Sequence, residues 1–120
     1  MWPFKPASPP PMPQRLREML HAYPELIERL QESLNKVITE PVKSQPPFEV
    51  AIWALEDTLD GFIAEAREER EVAEAGGDAQ AIEQAEAKER LMFRARSSNN
   101  GLSNLNELWD YFQGQGVAST

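Results

Sequence analysis

The sequence predicts an all-α protein. It should be a small helical bundle built round one long helix, with an antiparallel helical hairpin and a proline-rich N-terminal tail. Three observations carry this. Phe48, Ile52, Leu55, Leu59, Phe62 and Ala66 recur in steps of four and three, which places them on one stripe of a helix. The same stepping runs through Leu16, Leu20, Tyr23, Ile27, Leu30, Leu34 and Val37. Finally, Gly76-Gly77-Asp78 separates two alanine-rich segments that both become more apolar away from the glycines, as the arms of a hairpin must.

Taken in order, residues 1–14 hold Pro3, Pro6, Pro9, Pro10, Pro11 and Pro13. Proline fixes φ and removes the amide donor, so the run favours extended polyproline II and is expected to be a flexible tail. Trp2 and Phe4 have no periodic neighbours there. They are candidate anchors for a partner's groove, against the plainer reading of a terminus docked loosely on the body.

The helical pattern of 15–40 meets Pro24, yet its apolar phase carries straight through. Proline inside a helix removes one hydrogen bond and costs about 3 kcal/mol unless the chain bends. Either the helix kinks, or a short helix ends near Tyr23 and a second begins at Pro24. The second is preferred because Glu25 and Glu28 then lie in a favourable first turn. Pro41 ends this segment, and Pro47 suits the first position of the long helix 48–75. Val50 and Trp53 lie about 140–200° round that helix from Phe48, so its start is apolar on two sides. That second side needs a partner, either the preceding helix or another molecule.

Beyond Ile63 the long helix thins to alanine, arginine and glutamate, and the helix 79–96 begins equally thin. Folding at Gly76-Gly77, with Asp78 as N-cap, sets alanine against alanine and brings Met92 and Phe93 level with Phe62 and Ile63. The tip should be an acidic projection and the least stable region. After a turn-rich loop, Asn104 is expected to cap a helix 104–113, with Glu107 completing a capping box. Leu105, Leu108, Trp109 and Phe112 form its apolar face, Gly114 is expected to stop it, and 114–120 to fray.

The 120 residues suffice for one domain with one core. Absence of cysteine excludes disulfides, thiolate metal sites and thiol nucleophiles, and fits a reducing, cytoplasmic setting. No apolar run is long enough to span a membrane, and no apolar core region follows Met1-Trp2-Pro3 as a secretory signal would require. Of the net charge of −8, all falls between Glu56 and Arg90, where twelve acids face four bases. Such a lobe repels nucleic acid and anionic lipid, which need a basic face.

Two constellations could carry chemistry. Glu18-x-x-His21 is half of a carboxylate-bridged metal motif, but the chain has a single histidine, and a surface histidine is the simpler reading. Glu65-x-x-Glu68-Glu69 and Glu83-x-x-Glu86 with Glu89 pair acids across the hairpin. This arrangement is similar to the glutamate-rich helices of the all-α nucleoside triphosphate pyrophosphatases of the MazG type. That resemblance implies magnesium held by hairpin glutamates and hydrolysis of a nucleotide. Those enzymes carry a Glu-x-x-Asp on the second helix, and no aspartate stands at that spacing after Glu83 or Glu86. Acid-rich helix faces also serve solubility alone. Phosphate loops, nucleophile elbows and zinc-binding histidine pairs are absent from the sequence.

The expectation is therefore a non-enzymatic helical protein–protein interaction module (an adaptor, accessory or chaperone-like protein) without cofactor or metal. The helix spacing is compatible with a homodimer. Trp2, Phe4, Val50, Trp53, Trp109, Tyr111 and Phe112 are the candidate interface residues, since large aromatics dominate contact energies. For Trp109 and Phe112, burial in the core is an equally good reading.

Overall fold

The computed structural model describes residues 9–40 and 44–119, with residues 114–119 by their backbone alone. Among the described residues there are five helices and no strand: α1 Gln14–Met19, α2 Pro24–Thr39, α3 Pro47–Gly76, α4 Ala79–Arg96 and α5 Asn106–Ser119. The long helix α3 is the organising element, with α2, α4 and α5 all packed on it.

Proline sets the starts of α2 and α3. Pro24 and Pro47 each occupy the first turn, where a missing amide costs nothing, so the Arg15–Glu40 segment breaks into two helices instead of kinking. The break is a tight turn in which the Tyr23 amide donates to the Leu20 carbonyl at 2.8 Å. At the other end of α3, Gly77 takes φ of 78° and its amide donates to the carbonyls of Ala73 and Glu74. This left-handed stop is available to glycine without a Cβ penalty. Asp78 then caps α4, its side chain accepting from the Gln80 amide at 3.0 Å.

Helices α2 and α3 run antiparallel. Ser33 and Thr58 hydroxyls share a hydrogen bond of 2.6 Å, and further along Arg29 grips both oxygens of Glu65 at 2.8 and 2.7 Å. Helices α3 and α4 form the antiparallel hairpin, pinned by Glu69–Lys88, Arg70–Glu89 and Asp60–Arg96. The core takes Leu26, Leu30, Leu34 and Val37 from α2, Ala51, Leu55, Leu59, Phe62 and Ala66 from α3, and Met92 and Ala95 from α4. Leu16, Leu20, Leu108 and Phe112 close it.

Several expectations need correction. The proline-rich stretch is not wholly a tail. Pro10, Met12 and Pro13 are buried, and the Gln31 side chain donates to the Pro10 carbonyl at 2.8 Å. Prolines without amide donors can be covered at little cost, and one glutamine supplies the bond that the exposed carbonyl needs. Helix α5 begins at Asn106, not Asn104; the Asn104 side chain caps the entry as expected, accepting from the Asn106 amide at 3.1 Å, but no hydrogen bond to the Glu107 side chain completes a capping box. Gly114 does not stop α5, whose backbone stays helical to Ser119, because glycine weakens a helix by only about 1 kcal/mol when no left-handed turn follows. Phe93 does not join Met92 in the core and is 49% exposed, since successive residues on a helix point about 100° apart.

Candidate functional site

On the side of α3 away from α4, an open groove follows the α2–α3 seam. One stretch of about 280 Å³ is lined by Val37, Lys36 and Glu40 of α2 and by Val50, Ala54 and Asp57 of α3. A second of about 300 Å³ shares Ser33, Lys36, Asp57 and Thr58 with the first and extends to Arg29, Glu32 and Gly61. The groove is shallow because its α3 wall is built of small residues. A Cβ added at Gly61 would meet nothing within 4 Å.

Trp53 stands at the α3 edge of this groove. It lies three residues after Val50 and four before Asp57, both of which line the groove, so helical geometry sets the three in one row. Its side chain is 48% exposed, with no described ring stacked on it. Acids surround it on the helix surface: Glu49 one turn before, Glu56 and Asp57 one turn after, and Asp60 two turns after. Arg96 takes Asp60 at 2.9 Å and reaches Glu56 at 3.8 Å. Glu49, Asp57, Glu32 and Glu40 make no ion pair with any described residue, and Arg29 is held by Glu65. The groove and its rim thus carry more acids than bases beside an exposed indole, with Lys36 and the Glu65-bound Arg29 as the lining cations.

The other candidate residues separate. Val50 is half-buried as a wall of the groove. Phe112 is 3% exposed and belongs to the core, the alternative reading of that residue. Trp109 sits edge-on to Phe48 with ring centroids 4.9 Å apart, yet remains 46% exposed. Tyr111 is half-buried against Phe112, and burial pushes its hydroxyl above the usual tyrosine range. Trp2 and Phe4 lie outside the described residues.

Three of the six candidate hairpin glutamates are used as cross-links. Glu65 binds Arg29, Glu69 binds Lys88, and Glu89 lies between Arg70 at 2.6 Å and Arg67 at 3.7 Å. Arginine hydrogen bonds hold the Glu65 carboxyl below the usual glutamate range. No three acidic or histidine side chains converge as a metal site among the described residues. His21 is exposed, with its ring nitrogen 2.9 Å from the Glu18 carbonyl, not its carboxylate. No described helix is long and apolar enough to cross a membrane.

Asp57, Lys36 and Glu40 were missed as groove residues because each reads singly as a solvated helix charge. Their grouping follows only from the antiparallel seating of α2 on α3. The surplus apolar side at Val50 and Trp53 was the usable signal, and α2 covers only the Val50 half of it. No protein-family model matches this chain, and no match was found among curated proteins or solved structures.

Proposed function

We propose that this chain is a non-enzymatic helical interaction module that receives a protein partner in the α2–α3 groove, with Trp53 as its anchor. The observation that carries the reading is a half-exposed indole beside a groove with an apolar floor. Leaving such a side chain in water forgoes burial worth about 1.5–3 kcal/mol for a large apolar residue, and tryptophan is prominent among residues that dominate interfaces. The aromatic is held on a long, well-packed helix, so little ordering is needed on binding. The acidic lobe argues against nucleic acid as partner, and the absence of cysteine is in keeping with a cytoplasmic setting. A second copy of the chain is a candidate partner on the same surface.

Cross-linking from the groove tests this directly. A photo-reactive group placed at Lys36 should trap a defined partner with the wild-type chain and not with Trp53→Ala, whose circular dichroism and melting should match the parent. Equal trapping by both chains would remove Trp53 from the function. A change of partner yield with Phe93→Ala alone would move the site to the other face of the hairpin.

A further inference from the structure

We propose that the occupant of the α2–α3 groove is a cationic amphipathic helix about three turns long, held by its apolar stripe on Val50, Ala54 and Trp53 and by lysines or arginines on its flanks. This rests on the reading of the groove as a docking surface and specifies the chemistry of what docks.

Three features of the groove favour this occupant. The first is shape. Two antiparallel helices leave a trough in which a third helix seats, and the α3 wall from Val50 to Gly61 is about 16 Å long at 1.5 Å per residue. The small side chains Ser33, Ala54, Thr58 and Gly61 let an incoming helix approach closely. Val50 and Trp53 lie within one turn of each other on α3 with Ala54 beside them, so the apolar stripe of that helix would meet them together at one end of the trough.

The second is charge. Glu32, Glu40 and Asp57 line the groove with Lys36 as the one cation not already committed, and Glu49 adds a further acid beside Trp53. Lysine or arginine flanks on a ligand would find Glu40, Asp57 and Glu49, none of which is held in an ion pair by a described residue. The same charges oppose a second copy of this acidic chain, because two-fold pairing sets equivalent acids close together. The third feature is the indole itself. It is half exposed, with Glu49 and Asp57 one turn away on the helix, and a tryptophan ring attracts cations through its quadrupole more strongly than any other side chain.

The test uses the full chain and four synthetic peptides labelled for fluorescence anisotropy. One is a leucine–lysine peptide with leucines in steps of three and four. The second has the same composition in scrambled order, and in the third and fourth glutamate or glutamine replaces lysine. The ordered leucine–lysine peptide should bind, more weakly as salt rises, and the other three should bind at least about tenfold more weakly. Trp53→Ala should weaken the ordered peptide about tenfold or more. The double variant Glu40→Gln, Asp57→Asn should weaken it several-fold, whereas Glu71→Gln with Glu83→Gln at the hairpin tip should leave it unchanged.

Equal binding of lysine, glutamine and glutamate peptides, all weakened by Trp53→Ala, would overturn the charge assignment and leave the docking surface standing. Equal binding of the scrambled peptide, weakened by the tip variant and not by Trp53→Ala, would overturn both readings in favour of diffuse attraction to the acidic lobe. Binding of none of the peptides would overturn the cationic helix, with the cross-linking experiment still deciding the groove. A concentration-dependent dimer in light scattering that Trp53→Ala dissolves would make a second copy the occupant, against this proposal.

Discussion

Arg29 joins α2 to α3 in two ways. Its guanidinium forks onto the Glu65 carboxylate and lies 4.7 Å over the Phe62 ring. Both partners are about half exposed, at 46% and 49%, so solvent screens the pair and its net worth is about 0.5–1 kcal/mol. A carboxyl whose folded pKa is depressed contributes stability that is complete above the ordinary glutamate range and lost as pH falls through the depressed value. Glu65→Gln should therefore lower stability in urea by about 0.5–1 kcal/mol at pH 7, with the difference shrinking toward acid pH and at high salt. Gly101 is a different case, governed by space. It is buried, its amide donates to the Arg94 carbonyl at 3.1 Å, and a Cβ there would overlap the Ala95 carbonyl. Because backbone stands in the way, Gly101→Ala should cost about 1–3 kcal/mol, read from the denaturation midpoint. Neither residue announces this in the sequence. Arg29 and Glu65 are separated by 36 positions, and Gly101 sits in a run of turn formers where any glycine reads as a loop residue.

At the scale of elements, periodicity was a good guide wherever a helix buries one stripe. Helices α2, α3 and α4 stand close to where the apolar steps and the Gly76-Gly77 stop put them, and Pro24 starts a helix as its charges suggested. The guide fails where no period exists. The docked prolines Pro10 and Pro13 follow no repeat, and the Pro10 carbonyl is held by Gln31 of α2. It is also blind to which of two neighbouring apolar residues turns inward, as Met92 and Phe93 show. The hairpin illustrates a further point. Its fully buried residues end at Ala66 on α3 and begin at Met92 on α4, leaving ion pairs and half-buried alanines to hold the arm between them. Tyr23 braces it at the level of Lys88, whose ammonium lies 5.0 Å over the tyrosine ring. Amide hydrogen exchange should be fastest across residues near the tip and slowest for 51–66 and 92–95. Arg70→Ala, which removes the cross-link to Glu89 and the same-helix pair with Glu74, should raise exchange throughout the arm and leave the slow core amides unaffected.

For the molecule as a whole, α3 is the shared wall of the core. Helices α2, α4 and α5 each bury their stripe against it, and none has enough buried surface to stand alone. Unfolding should accordingly be a single transition in which far-UV and near-UV circular dichroism coincide. Leu59→Ala, at a position that is 0% exposed, should lower both midpoints together by an amount equivalent to about 2–5 kcal/mol. The proposed docking groove lies on this wall, so Trp53→Ala at its rim should leave the melting of the bundle unchanged.

The glycine turn at the end of the hairpin has a practical consequence. Gly76 and Gly77 are exposed, and nothing stands within 4 Å of a Cβ at either position. The chain there is a hinge pin between two helices already in register, with no neighbour to displace. A foreign segment spliced between Gly77 and Asp78 would hang from the far end of a particle 57 Å long, remote from both the core and the groove. The arm can thus serve as a handle, carrying a fluorophore, an affinity epitope or a whole second domain while the α2–α3 groove stays clear.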